Sequence, residues 1–253
     1  MKKITVVLVL MVFSISAYCQ TDNWYFSFSM GGSMPLGTFK QTDLKDQKSG
    51  YAKNGFTLLI DATYPVSDHW GLRGMALMST NPVDRSGLGT KLETRMQAFY
   101  PVIAETDRPF LSLIVNSWMW NAILAGPVYT INFDRIFWDF QVLGGMNVTY
   151  LPQQKLLYEK PANNWLYLDR NTSTINVSYG LLAGTAVRFP VSDRINLRVG
   201  VDYYRSQASV PYEQIRVNKP GTTEQTIEKL GSGSTTVPIG MLSATIGFVY
   251  YLN

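Results

Sequence analysis

The sequence predicts an all-β chain: an eight-stranded antiparallel up-and-down transmembrane β-barrel with short periplasmic turns and long extracellular loops. Three observations predict it. First, one turn is written twice. Tyr64-Pro65-Val66-Ser67-Asp68-His69-Trp70-Gly71-Leu72-Arg73 is echoed by Phe189-Pro190-Val191-Ser192-Asp193-Arg194-Ile195-Asn196-Leu197-Arg198. Each copy joins two alternating runs through a Pro-led turn, the pattern of a hairpin. Second, the apolar residues of each run share one face. Phe56, Leu58, Ile60, Ala62 and Tyr64, then Trp70, Leu72, Gly74, Ala76 and Met78, fall together at period two, while Asp61 and Arg73 fall opposite. Third, short turns at 65–69, 132–135 and 190–194 alternate with long connections at 33–54, 81–117, 151–173 and 207–236. Bacterial membrane barrels have that rhythm.

Composition agrees. Charged residues are sparse at 16% and aromatics reach 13%, which suits a β protein with an apolar exterior. Met1 to Gln20 reads as a secretory signal: Lys2 and Lys3 are the positive n-region, Ile4 to Ile15 the apolar core, and Ala17-Tyr18-Cys19 the cleavage site. About 12 apolar residues fall short of the ~20 that a spanning helix needs. Lipidation at Cys19 is the alternative, with the bulky Tyr18 a poor fit to a lipobox. Removing residues 1–19 leaves one domain, 20–253. It carries 20 basic and 18 acidic side chains, the basic ones scattered, so no nucleic-acid partner is expected. Cys19 is the sole cysteine, so the mature chain holds neither disulfide nor thiolate metal site. No later stretch could span as a helix, and an integral protein must then be a barrel.

The elements follow in order. Trp24 to Gly32 alternates aromatics and Met with Ser and Gly, and Pro35-Leu36-Gly37 ends it. Lys40 to Asn54 reads as a polar loop. The first repeated turn joins a strand at 55–64 to one at 70–80. Residues 81–116 read as a long loop carrying a helical segment within Thr90 to Ile103. A strand at 118–131 turns at Asn132-Phe133-Asp134-Arg135 into another at 136–150. Pro161-Ala162-Asn163-Asn164 predicts a small hairpin. The second repeated turn joins strands at 174–189 and 195–206. Lys219-Pro220-Gly221 predicts another hairpin, and a strand at 237–253 closes the chain.

Register decides which face meets lipid, because a slip of one residue reverses every side chain. With apolar faces outward, Asp61, Arg73, Asp139, Arg188, Arg198 and Asp202 all point inward. Reversing a strand would place arginine in lipid at roughly 2–4 kcal/mol each near the midplane. Three acids facing three bases predict a lumen plugged by ion pairs, since eight strands enclose only enough room for side chains. A soluble lipocalin-like or avidin-like barrel would invert the pattern. Trp24, Tyr64, Trp70, Trp138, Phe189 and Tyr250 gather at the short-turn end, as an interfacial girdle would.

The chain ends on Thr245-x-Gly247-x-x-Tyr250-x-Leu252, which resembles the assembly signal of Gram-negative barrels, with Asn253 where an aromatic is usual. Together with Gly32-Ser33-Met34-Pro35-Leu36-Gly37-Thr38-Phe39, the two [YF]-P-V-S-D turns and Ala125-Gly126-Pro127-Val128-Tyr129, it gives a chain that resembles the outer-membrane β-barrel family of Bacteroidota, small relatives of the OmpX and OmpA barrels. The resemblance implies an integral outer-membrane protein with both termini in the periplasm. Its implied partners are outer-membrane lipid and lipopolysaccharide, the barrel-assembly machinery during biogenesis, and a protein partner at the extracellular loops.

Chemistry is scarce. The only histidine, His69, lies in a turn on the periplasmic side, away from outer-leaflet lipid. Gly87-Leu88-Gly89-Thr90-Lys91 lacks the spacing of a phosphate loop. No Ca²⁺-loop spacing, metal site or cofactor motif is present. The leading expectation is a structural or interaction barrel acting through its loops and not an enzyme. A small-solute channel and a lipid-modifying enzyme are the alternatives.

Overall fold

The computed structural model describes residues 24–43, 48–90, 110–114, 116–152, 155–160, 165–219 and 223–252. The expected signal peptide, most of the expected helix at 90–103, and the turn at 161–164 lie outside them. Eleven strands are described: β1 (Tyr25–Pro35), β2 (Gly55–Pro65), β3 (Trp70–Asn81), β4 (Phe110–Ile114), β5 (Trp118–Phe133), β6 (Ile136–Tyr150), β7 (Lys155–Lys160), β8 (Trp165–Asn171), β9 (Ile175–Pro190), β10 (Ile195–Asn218) and β11 (Thr226–Tyr251). A 3-10 turn at Gly37–Phe39 follows β1, and 85–90 is helical.

Eight of the strands form a closed ring in the order β11-β1-β2-β3-β5-β6-β9-β10, and β10 pairs with β11 to complete it. Every neighbouring pair is antiparallel. At the seam Tyr25 of β1 faces Tyr251, and Ile195 of β10 faces Tyr250. The two copies of the repeated turn close alike. The N–H groups of Val66 and Ser67 both donate to the Trp70 carbonyl, at 2.8 and 2.9 Å, and those of Val191 and Ser192 to Ile195, at 2.9 and 3.0 Å. The third turn holds Asp134 at φ 54°, a left-handed backbone that Asp tolerates.

Alternation sets the two faces. On β3, Leu72, Gly74, Ala76 and Met78 face out while Arg73, Met75, Leu77 and Ser79 are buried inside. β6 behaves the same way, with Trp138, Phe140, Val142 and Met146 outside and Asp139, Gln141, Leu143 and Asn147 inside.

The structure departs from the sequence reading at the long-loop end. β10 and β11 run on past Ser206 and before Val237, and the additional strands β4, β7 and β8 join them. β8 leads into β9, β6 leads into β7, and β4 leads into β5. On this side the order β10-β8-β7-β4 therefore repeats β10-β9-β6-β5 below it. Each of those three walls is one long strand broken at a common level. The ladder is carried over the break by Leu151 N–H to the Thr174 carbonyl (2.8 Å) and by Thr172 N–H to the Pro211 carbonyl (3.0 Å). Pro152 and Pro211, which have no N–H to give, lie at that level. Pro35 at the end of β1 pairs with Met241, and Leu36 N–H donates to the Gly240 carbonyl (2.9 Å), so β11 from 226 to 239 rises beyond the reach of β1. The barrel thus has one tall wall and one low one.

The connection from β1 to β2, expected as an outward polar loop, instead folds back over the mouth. Gly50 N–H donates to the Thr38 carbonyl (2.9 Å), Ala52 N–H to Phe39 (3.0 Å), and Asp84 N–H to Tyr51 (2.7 Å). Tyr51 is buried at φ 53°, a strained backbone for a bulky residue. That strain is held by the packing and hydrogen bonds around it.

Candidate functional site

The interior of the ring is the place where unusual residues converge, and it has two halves. The half toward the short turns is ionic. Asp61 and Thr63 come from β2, Arg73 from β3, Asp139 and Gln141 from β6, Arg188 from β9, and Arg198 and Asp202 from β10. All are buried because they occupy inward positions at period two.

Arg73 is the hub. Its Nε donates to Thr63 Oγ1 at 2.8 Å and lies 3.4 Å from Asp61 Oδ1. Nη1 donates to Gln141 Oε1 (2.6 Å), and Nη2 to Asp139 Oδ2 and Tyr25 Oη, both at 3.2 Å. Asp139 also accepts from Arg188 at 2.8 Å and from Thr130 at 2.8 Å. Arg198 lies 3.7 Å from Asp61 and donates to Ser29 Oγ at 3.1 Å. Ser27 donates to the other face of Asp61. Arg188 is stacked between the rings of Tyr25 (4.5 Å) and Phe137 (5.0 Å), and Tyr251 accepts its Nη1. Both planes and both terminal nitrogens of this guanidinium are thereby occupied, which fixes it in place.

Five of the six charges singled out from sequence are therefore joined, Asp61 and Asp139 each bridging two arginines. Asp202 departs from the expected pairing. It lies beyond ion-pair distance of the arginines among the described residues and accepts instead from Gln141 Nε2 at 2.6 Å, its other oxygen unpartnered among those residues. Space for it comes from Gly184, directly opposite on β9, where a Cβ would stand 1.8 Å from Asp202 Oδ1. Gln141, Tyr25 and Tyr251 are the partners that the sequence reading did not assign. Their inward positions were the available signal.

The half toward the long loops is apolar, which the expectation of an ion-pair plug missed. Phe39, wholly buried, sits edge-on between Trp118 (centroids 5.5 Å apart) and Trp120 (5.6 Å). Leu59, Leu77, Tyr51 and Val83 close around them. Trp118 Nε1 donates to the Gly50 carbonyl at 2.9 Å, tying the folded-back connection to the wall. The two halves of the lumen thus hold two unlike plugs.

The remaining candidates are placed as follows. Thr245 and Gly247 of the terminal strand face inward and are buried, while Tyr250 and Leu252 face outward and are exposed. His69 is exposed in its turn, with Nδ1 3.1 Å from the Thr130 carbonyl oxygen and its ring beside Tyr129. Gly87 to Thr90 are helical, with Leu88 buried, rather than a phosphate cradle. Among the described residues no group of three His, Cys, Asp or Glu could hold a metal ion. At the short-turn end Trp24 packs on Tyr64 (5.0 Å) and Trp70 on Tyr129 (5.0 Å), part of an exposed aromatic rim.

No known protein-family model matches the chain, and no curated protein matches it. Solved structures do align with it. The attachment invasion locus protein Ail of Yersinia pestis is 12% identical over 89% of this chain and 98% of its own, with a TM-score of 0.38. A major outer membrane protein from Thermus thermophilus is 13% identical over 90% and 99%, with a TM-score of 0.46. The outer membrane protein OprG from Pseudomonas aeruginosa is 11% identical over 92% and 96%, with a TM-score of 0.41.

Proposed function

We propose that this protein is an integral outer-membrane barrel that conducts nothing and works through its extracellular side. The observation that carries the reading is the inversion of polarity across its wall. Phe28, Ile60, Leu72, Val142, Leu181 and Phe248 are exposed outside, while six formal charges are buried inside. A continuous belt of that kind far exceeds the apolar patch a monomer tolerates in water and calls for lipid. The aromatic rim at the short turns supports a membrane–water boundary there. The filled lumen supports a structural or interaction role over a channel. The tall wall formed by β10, β11 and β8 supplies an extended, strand-paired surface for a protein partner. The motifs that resemble those of small Bacteroidota barrels favour that affiliation. On this reading the role is non-enzymatic, and His69, with Nδ1 3.1 Å from the Thr130 carbonyl oxygen, belongs to the short-turn rim.

The test is twofold. The protein is expected in the outer-membrane fraction, and recovery from the soluble periplasm overturns the membrane reading. Reconstituted in planar bilayers, it is expected to give no discrete conductance steps; reproducible steps would replace the interaction barrel with a small-solute channel.

A further inference from the structure

We propose that the free edge of β11 at residues 232–238 is a docking site for an extended segment of a partner protein, which adds to the tall wall as one more antiparallel strand. The proposal rests on the interaction-barrel reading above and names where that interaction occurs.

From Met241 to Tyr251, β11 lies between β1 and β10. From Thr226 to Ile239 only β10 pairs with it among the described residues. Backbone parity fixes which groups face the open side. Gly240 turns its carbonyl toward β1, where Leu36 N–H donates to it at 2.9 Å. Backbone groups alternate sides along a strand, so Pro238, Thr236, Ser234 and Ser232 turn the same way. Pro211 gives an independent check. Its carbonyl accepts from Thr172 N–H at 3.0 Å, on the side away from β11, so Ser234 opposite it also points away from β10. The N–H groups of Ser232, Ser234 and Thr236 therefore line an open edge roughly 20 Å long, together with their carbonyls and that of Pro238.

Unpaired strand edges in water are normally blocked by charge, by proline or by a covering element. This edge carries no charged side chain from Leu230 to the end of the chain, and residues 232–236 are exposed or half-exposed. Pro238 stands where its missing N–H faces the open side, the position that a strand tolerates, and it limits the open stretch toward the membrane. The side chains beside the edge are short and neutral. Ser232, Ser234 and Thr236 lie on the outer face, and Gly233 and Thr235 share the inner face with the buried Val237 and Ile239. Such an edge repels no partner by charge. Main-chain bonds supply the affinity, and serine or threonine at alternate positions of the partner segment suits the outer hydroxyl row. A second copy does not fit. Two copies in one membrane run β11 in the same direction, so their edges cannot meet antiparallel.

The test follows backbone amides of the full mature chain, folded in detergent, by hydrogen exchange read with NMR. In the free protein Gly233 and Thr235 are expected to be protected by β10, and Ser232, Ser234 and Thr236 to exchange freely. A heptapeptide of alternating threonine and valine is the probe, and it is expected to protect those three amides. The same peptide with every amide N-methylated is expected to protect none. Ser234→Pro removes one outward N–H, as Pro238 already does. It is expected to weaken peptide binding roughly tenfold, the loss of about one hydrogen bond, and to leave the thermal midpoint unchanged. Protection of the three amides before peptide is added, no protection by the peptide, or equal protection by its N-methylated form overturns the proposal, as does undiminished binding by Ser234→Pro. Fractionation of wild-type cells separates the two readings: a protein found in the outer membrane that fails these amide tests refutes the edge alone.

Discussion

Arg73 makes the inside–outside assignment testable residue by residue, because its neighbour Leu72 points the opposite way. Removing one partner of a buried ion pair costs about 3–5 kcal/mol, since the other charge is left unmatched. Arg73→Leu takes one of its two cations from each of Asp61 and Asp139 and leaves only Arg198 and Arg188 beside them, and Arg198→Leu removes the second cation beside Asp61. Both are expected to lower the thermal midpoint of the detergent-folded barrel clearly. Leu72→Ala and Leu197→Ala are expected to lower it less, because detergent or lipid fills an outer gap. A larger effect from the leucines would return the soluble barrel. A smaller electrostatic effect belongs to Asp84. Hydrogen bonds from Lys53 and Ser86 hold its carboxyl below the usual range. A depressed folded value means its contribution is whole at neutral pH and fades only as the pH falls through that value. The midpoint difference between wild type and Asp84→Asn is therefore expected to be present at pH 7, small as for an exposed pair, and to shrink as the pH is lowered below about 4. A difference that stayed constant through the whole acid range would show that it does not come from this carboxylate's charge.

At the scale of elements, the plug at the long-loop end depends on one side chain. Phe39 fills the space between Trp118 and Trp120 from a 3-10 turn of three residues. Phe39→Ala is expected to cost about 3–5 kcal/mol, as burial and a cavity term are lost together, and to free the 48–52 segment to proteolysis. An unchanged midpoint and protease pattern would mean that the connection is anchored elsewhere. This plug also marks the limit of what sequence could say. The eight barrel strands were legible because each buries one face and exposes the other to apolar surroundings, which writes period two into β2, β3 and β6. The extensions of β10 and β11 were not. From 226 to 236 nearly every position of β11 is exposed or half-exposed, so both faces are polar and the alternation disappears while the backbone ladder continues. Phe39, Tyr51 and Ala52 were hidden for another reason: they are isolated apolar residues in a stretch rich in Lys, Asp and Gln. The six lumen charges could be placed inward by parity alone. Their pairing could not, because Asp202 turns toward Gln141 through space left by Gly184, and that choice belongs to side-chain geometry.

At the scale of the whole molecule, the two ends of the barrel are unequal, and the inequality predicts an orientation. Among the described residues, one end carries the turns at 66–69, 134–135 and 191–194 and the aromatic rim. The other carries the folded-back plug, the broken walls and a β10–β11 hairpin whose partners reach Asn218 opposite Thr226. Short turns cross a membrane most readily during assembly, and long loops remain on the side where the barrel meets its surroundings. An epitope inserted after Glu224, in the exposed turn of the tall hairpin, is therefore expected to be labelled by antibody on intact cells. Epitopes after Ser67 or Ser192 are expected to be labelled only after the outer membrane is permeabilised. These sites suit the experiment because all three lie in exposed turns, so insertion leaves the ring and both plugs untouched. Gly50 does not suit it: a Cβ there would already stand 2.6 Å from the Phe39 carbonyl oxygen, and a tag would destroy the plug it was meant to report on. Labelling of Ser67 and Ser192 on intact cells, with Glu224 silent, would place the tall wall in the periplasm. It would then turn the proposed partner surface of that wall away from the cell's surroundings, so this one measurement constrains the orientation and the proposed partner surface together.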